Sequence, residues 1–219
     1  MRGALRCTMQ APFVSEQPSL AGTMTLTPVP DLIEAGIWRR ANGAGLERFE
    51  LLRTTNDWVL RGTIITLAEH KPTEARYEVL CDDSWHTRRA DISLRDGTGE
   101  RSLRITAAGG KWRENGKENE TISGCVDIDL EWSPSTNTIP IRRLRLAVGR
   151  RSGVVTAAWV RFPDLTLQPL RQEYERASER RFRYTSGGGV FVAEIAVDGE
   201  GLVLDYEGFW QRVVEPDAG

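Results

Sequence analysis

The sequence predicts a mainly β protein: a long antiparallel sheet curled into a barrel, a roll or a sandwich around a single α-helix. Three observations carry this. Apolar residues alternate with polar ones at period two along much of the chain; glycine-containing turn dipeptides punctuate those runs; and one segment alone carries helix caps. In RYEVLC the residues Tyr77, Val79 and Cys81 share a face, in SLRITA Leu103 and Ile105 do, and in RRFRYT Phe182 and Tyr184 do. Between such runs stand Asn42-Gly43, Asp96-Gly97, Gly109-Gly110, Asn115-Gly116, the triplet Gly187 to Gly189, and Asp198-Gly199, residue types that accept the positive φ of hairpin turns. A dozen or more short strands cannot stay flat and open as one sheet.

The capped segment is TNTIPIRRLRLAVG. Asn137 or Thr138 is placed to cap a helix, Pro140 falls in the first turn, where its missing N–H costs nothing, and Gly149 is placed to end it. Ile141, Leu144 and Val148 would then form one stripe. Leu144, Leu146 and Val148 also alternate as a strand would, but the caps favour the helix, packed inside the curled sheet.

Composition narrows the function classes. The 31 acidic and 29 basic residues leave a formal charge of -2, so no global field draws the chain to nucleic acid or an anionic membrane. The three cysteines, Cys7, Cys81 and Cys125, are widely spaced and form no CxxC pair, which argues against a disulfide framework and for a reducing, cytoplasmic setting. Two histidines make a histidine-rich metal site implausible, and no cofactor motif is present. No run approaches the roughly 20 apolar residues of a membrane helix. Residues 1–30, rich in proline and polar residues, read as a disordered leader and residues 31–219 as one domain.

Chemistry concentrates in CVDIDLEWSPSTNTIPIRRL, Cys125 to Leu144. As a strand, it turns Val126, Ile128, Leu130 and Trp132 one way and Asp127, Asp129 and Glu131 the other, with neighbouring carboxylates about 7 Å apart. That spacing suits an acid/base pair or two metal ligands. It equally suits a solvated face or carboxylates paired to arginines. The arginines Arg142, Arg143, Arg145, Arg150 and Arg151 follow at once, and a helix inside a rolled sheet obliges Arg142 and Arg143 to find carboxylates or a ligand anion, because a buried unpaired charge is costly. The expectation is an ion-pair network fixed by Thr136 and Asn137, with its exposed end meeting a polar head group. Seven tryptophans, Trp38, Trp58, Trp85, Trp112, Trp132, Trp159 and Trp210, serve equally as core or as ligand-cavity walls. His86, beside Trp85 in DSWHTRRAD, is placed on a strand, and Cys81 and Cys125 are placed on strands as small core residues. No nucleophile elbow, HExxH, P-loop or GxGxxG occurs, so binding is expected rather than catalysis.

The stretch GCVDIDLEWSPSTNTIPIRRL, with AAWVRFPDLTLQPLRQEYER, RRFRYTS, VDGEGLVLDY and GFWQR, resembles the bacterial family described as "putative glycolipid-binding", over about Ala35 to Val214. Its most specific part is D-I-D-x-x-x-S-P-x-T-N-T-x-P-I-R-R-L. The resemblance implies a spiral β-roll wrapped around one helix, in a cytosolic homodimer. The family's glycolipid role comes from fold similarity to periplasmic carriers of lipoproteins, which is analogy of fold and transfers no residue roles.

The function expected from the sequence is therefore a binding module or carrier for a glycolipid or other amphipathic small molecule, with Asp127, Asp129, Asn137, Arg142, Arg143, Trp85 and Trp132 as candidate ligand-binding residues. An enzyme acting on a lipid-like or sugar-linked substrate through Asp127/Asp129 or His86 is the alternative. A protein whose dimer surface is its function, with a filled interior, is a third.

Overall fold

The computed structural model describes residues 30–214; the expected leader, residues 1–30, lies outside them but for Pro30. Eight strands run in order from the start: β1 (Asp31–Arg40), β2 (Gly45–Arg53), β3 (Asp57–Ala68), β4 (Lys71–Asp82), β5 (Thr87–Asp96), β6 (Gly99–Ala108), β7 (Lys111–Glu114) and β8 (Lys117–Glu118). After a 3₁₀ turn at Glu120–Ile122 come β9 (Asp127–Leu130), the helix α1 (Thr138–Leu144), then β10 (Val155–Arg161), β11 (Thr166–Ser178), β12 (Arg181–Ser186), β13 (Phe191–Val197), β14 (Val203–Tyr206) and β15 (Trp210–Arg212). All fifteen strands form one sheet, ordered β8 through β1, then β15 back through β9. Consecutive strands are antiparallel hairpin neighbours; β15 closes the middle against β1, and β9 pairs with β10 in parallel.

This order forces the sheet to roll. Its two outermost strands, β8 and β9, are consecutive in sequence, and the nine Cα steps from Glu118 to Asp127 span at most about 30 Å. Laid flat, the 15-stranded sheet would separate those edges by roughly 67 Å at about 4.8 Å per strand. Curling brings the edges together, and β9 packs against β5 of the opposite arm. The result is an open spiral roll.

Directly paired residues lie on the same face of a sheet, so the inner face can be followed through the register. Val79, Leu60, Leu51, Phe49 and Trp38 belong to it on one arm, and Trp210, Tyr206, Ile195, Phe182 and Tyr184 on the other. Nearly all of these are buried and belong to one apolar core. Trp38 stacks on Phe49 at 3.7 Å between centroids and donates its indole N–H to the Val203 carbonyl. Gly62 opposes Tyr77 across β3 and β4, and a Cβ there would lie 2.5 Å from the Tyr77 hydroxyl, so the absent side chain is what lets the phenol lie over the strand.

On β9 the solvated alternative does not hold. Asp127 and Asp129 pair with Ala157 and Trp159, which in turn share their face with Gln172 and Tyr174 on β11; the carboxylates therefore point to the inside of the roll, not to solvent. Ile128 and Leu130 are on the opposite face and are also buried, each 1% exposed, because the β9 edge is tucked inside the curl. Val126, expected on one strand face with Ile128 and Leu130, precedes the strand and is exposed, and Trp132 and Glu131 lie beyond it.

Four local expectations also change. The helix ends at Leu144 rather than near Gly149, because Arg145 turns left-handed at φ 47° and reverses the chain. Val148 is thus exposed rather than part of a buried stripe. Asn137 is already helical and makes no cap, since a 3₁₀ turn at Ser135–Asn137 leads into α1. Trp85 and His86 sit in the β4–β5 turn rather than on a strand, with Trp85 at φ 68°, and Cys125 lies just before β9.

Candidate functional site

The polar residues of the segment from Asp127 to Arg143 fasten α1 to the interior of the roll. Ser133 donates to Glu47 Oε1 at 2.7 Å, Tyr77 donates to the same oxygen at 2.5 Å, and Ser135 lies 2.7 Å from Ser133. Thr136 Oγ1 accepts from the Leu130 amide at 3.1 Å, and the Tyr174 hydroxyl donates to Asn137 Oδ1 at 3.0 Å. Arg143 makes a bidentate pair with Asp127, 2.7 and 2.6 Å, with the Asp127 side chain 1% exposed. That fork-to-fork geometry is the strong form of a charged hydrogen bond, and it holds the Arg143 guanidinium above its ordinary pKa. Asp127 is thereby saturated.

Asp129 is placed differently. Among the described residues its one hydrogen-bond donor is the Gln172 amide, and it opens into a cavity of about 290 Å³. The walls are aromatic: Trp159, Tyr184, Phe191, Tyr206, Phe209 and Trp210, with Ser133, Asn137 and Ser186 adding polar atoms and a second carboxylate, Glu131, which is engaged by Arg161 at 3.0 Å. Phe191 meets Tyr206 and Phe209 edge-on at 6.5 and 5.3 Å between centroids, and Tyr206 and Phe209 are tilted against one another at 5.3 Å. Enclosure pushes the Asp129 carboxyl up to about 7, helped by the nearby charges of Glu131 and Asp127 and opposed by Gln172. Phe209, 47% exposed, marks where the cavity meets solvent.

The seven residues singled out in the sequence do not converge on one place. Asp129 and Asn137 line this cavity. Asp127 and Arg143 neutralise one another behind it. Arg142 and Trp85 line a separate, wider pocket, with the guanidinium 5.6 Å from the Trp85 ring, and Trp132 stacks on Phe162 at 4.8 Å beneath Arg40. His86 is exposed beside Asp82 and lines neither site. Cys81 and Cys125 are free and buried, and burial raises both thiols, Cys125 to about 11.

Two participants escaped the sequence reading. Glu47 is fully buried and its carboxyl is pushed up to about 8 by desolvation. Gln172 orients Asp129. Both carried a signal in their parity: Glu47 alternates with Phe49 and Leu51, and Gln172 with Tyr174, so each belongs to the apolar face of its own strand. Among the described residues, no helix is long and apolar enough to cross a membrane and no cluster of three or more His, Cys, Asp or Glu is placed to hold a metal.

Fold and site together define an open spiral β-roll with a small aromatic cavity and two carboxylates, Asp129 and Glu131, in its wall. The chain belongs to the family described as "putative glycolipid-binding", whose model matches residues 35–212. It is also similar to a DUF1089 family protein from Pseudomonas aeruginosa, whose crystal structure at 1.80 Å superposes with a TM-score of 0.71 at 34% identity, covering 78% of this chain and 92% of that one. No curated protein matches the chain.

Proposed function

We propose that this protein binds a glycolipid or related amphipathic molecule by its sugar, with the head group in the aromatic cavity and Asp129 accepting hydrogen bonds from ring hydroxyls. The observation that carries the reading is the combination of aromatic walls with a carboxylate, Asp129, that has one partner among the described residues. Sugar C–H faces stack on aromatic rings, and hydroxyls need a convergent acceptor. The volume, at the low end of the roughly 300–1,000 Å³ of small-molecule sites, suits one ring rather than two acyl chains. The chain would leave past Phe209 and the exposed Val190 beside Phe191. The family description supports the ligand class.

Binding rather than catalysis is favoured because the sequence's acid/base candidates do not meet: Asp127 is locked on Arg143 and His86 lies at another pocket. A cytoplasmic setting is supported by the free thiols of Cys81 and Cys125. A homodimer is supported by apolar side chains on the outer sheet face, where Leu46 and the facing Ile65 are 49% and 61% exposed.

The test is a titration with n-octyl glucoside below its micelle concentration, followed by tryptophan fluorescence, alongside glucose and octanol. Saturable binding of the glucoside, weakened about tenfold in Asp129→Asn and Tyr206→Ala, is expected. Protein purified gently without bound lipid, and showing no saturable change with the glucoside, would overturn the reading.

A further inference from the structure

The wider pocket at the end of α1, about 760 Å³, is lined by Arg142, Arg145, Arg176 and Arg180, with Glu179 and Asp198 as the only acids in its wall. It shares no residue with the Asp129 cavity. Asp198 is already engaged: it accepts from Arg212 at 2.6 Å and from two backbone amides. Arg176 spends its donors on the carbonyls of Leu146, Ser178 and Glu179, so it carries a positive charge with no carboxylate on it. Arg145 and Arg180 are exposed and have no carboxylate within 4 Å among the described residues. Arg142 reaches Glu200 only at 3.7 Å.

Arg142 is also held in place. Its guanidinium lies over Trp85 and Trp58, which stack at 4.8 Å, and Gly201, at φ +77°, leaves its stem a gap in which a Cβ would stand 3.1 Å from Cδ. A planar cation clamped between an indole pair and a backbone has less conformational freedom to lose on binding an anion. The left-handed turn at Arg145 aims the chain so that α1 and the β11–β12 turn contribute guanidiniums to one concavity. Four arginines set against Glu179 and the already engaged Asp198, with Glu200 at the edge of reach of Arg142, leave an excess of positive charge that suits a doubly charged tetrahedral oxyanion, whose oxygens take bidentate bonds from more than one of them.

We infer that this pocket is a phosphate-binding site, taking a phosphate or phosphate monoester through Arg142, Arg145 and Arg180, independent of the proposed sugar cavity. The phosphate belongs either to a free small molecule or to the head group of an amphiphile.

The full chain is titrated calorimetrically with inorganic phosphate and with n-octyl phosphate below its micelle concentration. Saturable binding is expected, weakened at least about tenfold in Arg145→Ala/Arg180→Ala and falling with salt, whereas Arg113→Ala/Lys117→Ala, which removes the same charge at the far sheet edge, leaves it unchanged. Arg145 and Arg180 are exposed, so that variant keeps its fold, checked by circular dichroism. Octyl phosphate binding about tenfold more tightly than phosphate assigns the site to an amphiphile; equal affinities assign it to free phosphate. Equal loss in both double variants, or no saturable heat up to about 10 mM of either probe, overturns the site.

Discussion

Glu47→Gln isolates the electrostatics of the interior. Glu47 is fully buried; Tyr77 and Ser133 both donate to its Oε1, while Oε2 has no partner, and the Arg40 charge lies close enough to be felt without touching it. Desolvation outweighs those favourable contacts and raises the carboxyl from 4.5 to about 8. A carboxyl raised on folding binds its proton more tightly in the native state, so stability is greatest below the unfolded value, near pH 4.5, and falls as pH rises toward about 8. At about 1.36 kcal/mol per pKa unit, the full loss across that window is ~5 kcal/mol, and half of it is expected once internal relaxation is allowed. Glutamine mimics the neutral acid and cannot ionise. Urea unfolding at pH 5, 6, 7, 8 and 9, followed by tryptophan fluorescence, should show wild type losing at least about 2 kcal/mol more than Glu47→Gln between the ends of the range. Asp129 titrates in part of the same window, but it is common to both proteins and cancels in the difference. Parallel pH profiles, with the variant less stable throughout, would refute the reasoning, because they would mean that Glu47 is ionised in the fold and paired to Arg40.

Two further outcomes follow from the anchoring of α1. Asp127→Asn leaves the half-buried Arg143 without its counter-charge and should cost up to about 3 kcal/mol, while replacing both partners by leucine should cost much less; thermal melts of the two single variants and the pair give the coupling. Thr136→Val keeps the shape but deprives the buried Leu130 amide of its acceptor, and chemical denaturation should register a loss of about 1–3 kcal/mol.

Much of the architecture was legible in the sequence because it is local. Alternation in RYEVLC or RRFRYT assigns faces without knowledge of the neighbours, since side chains must alternate on any strand, and the glycine turns mark hairpins for the same stereochemical reason. The place of the helix was also readable, but its caps and its end were not. Gly149 offered an easy left-handed stop, yet Arg145 takes that conformation itself, closer to where the chain has to reverse to reach β10. The turn position of Trp85 and His86 was hidden in the same way, because nothing in DSWHTRRAD obliges a turn until Trp85 is required beneath Arg142.

What the sequence by itself determined is the set of strands, the parity of their faces, the single helix, and the charge pairing latent between DID and RR. What only the tertiary structure decided is which face of β9 is inside, that Asp127 rather than Asp129 meets Arg143, and that six aromatic residues from Trp159 to Trp210 gather around the carboxylate left over. The reason is the rolling of the sheet. Burial of a strand's face depends on what the sheet curls around, and an edge strand tucked inside the spiral is covered on both sides, so alternation on β9 reports two interiors rather than an inside and an outside.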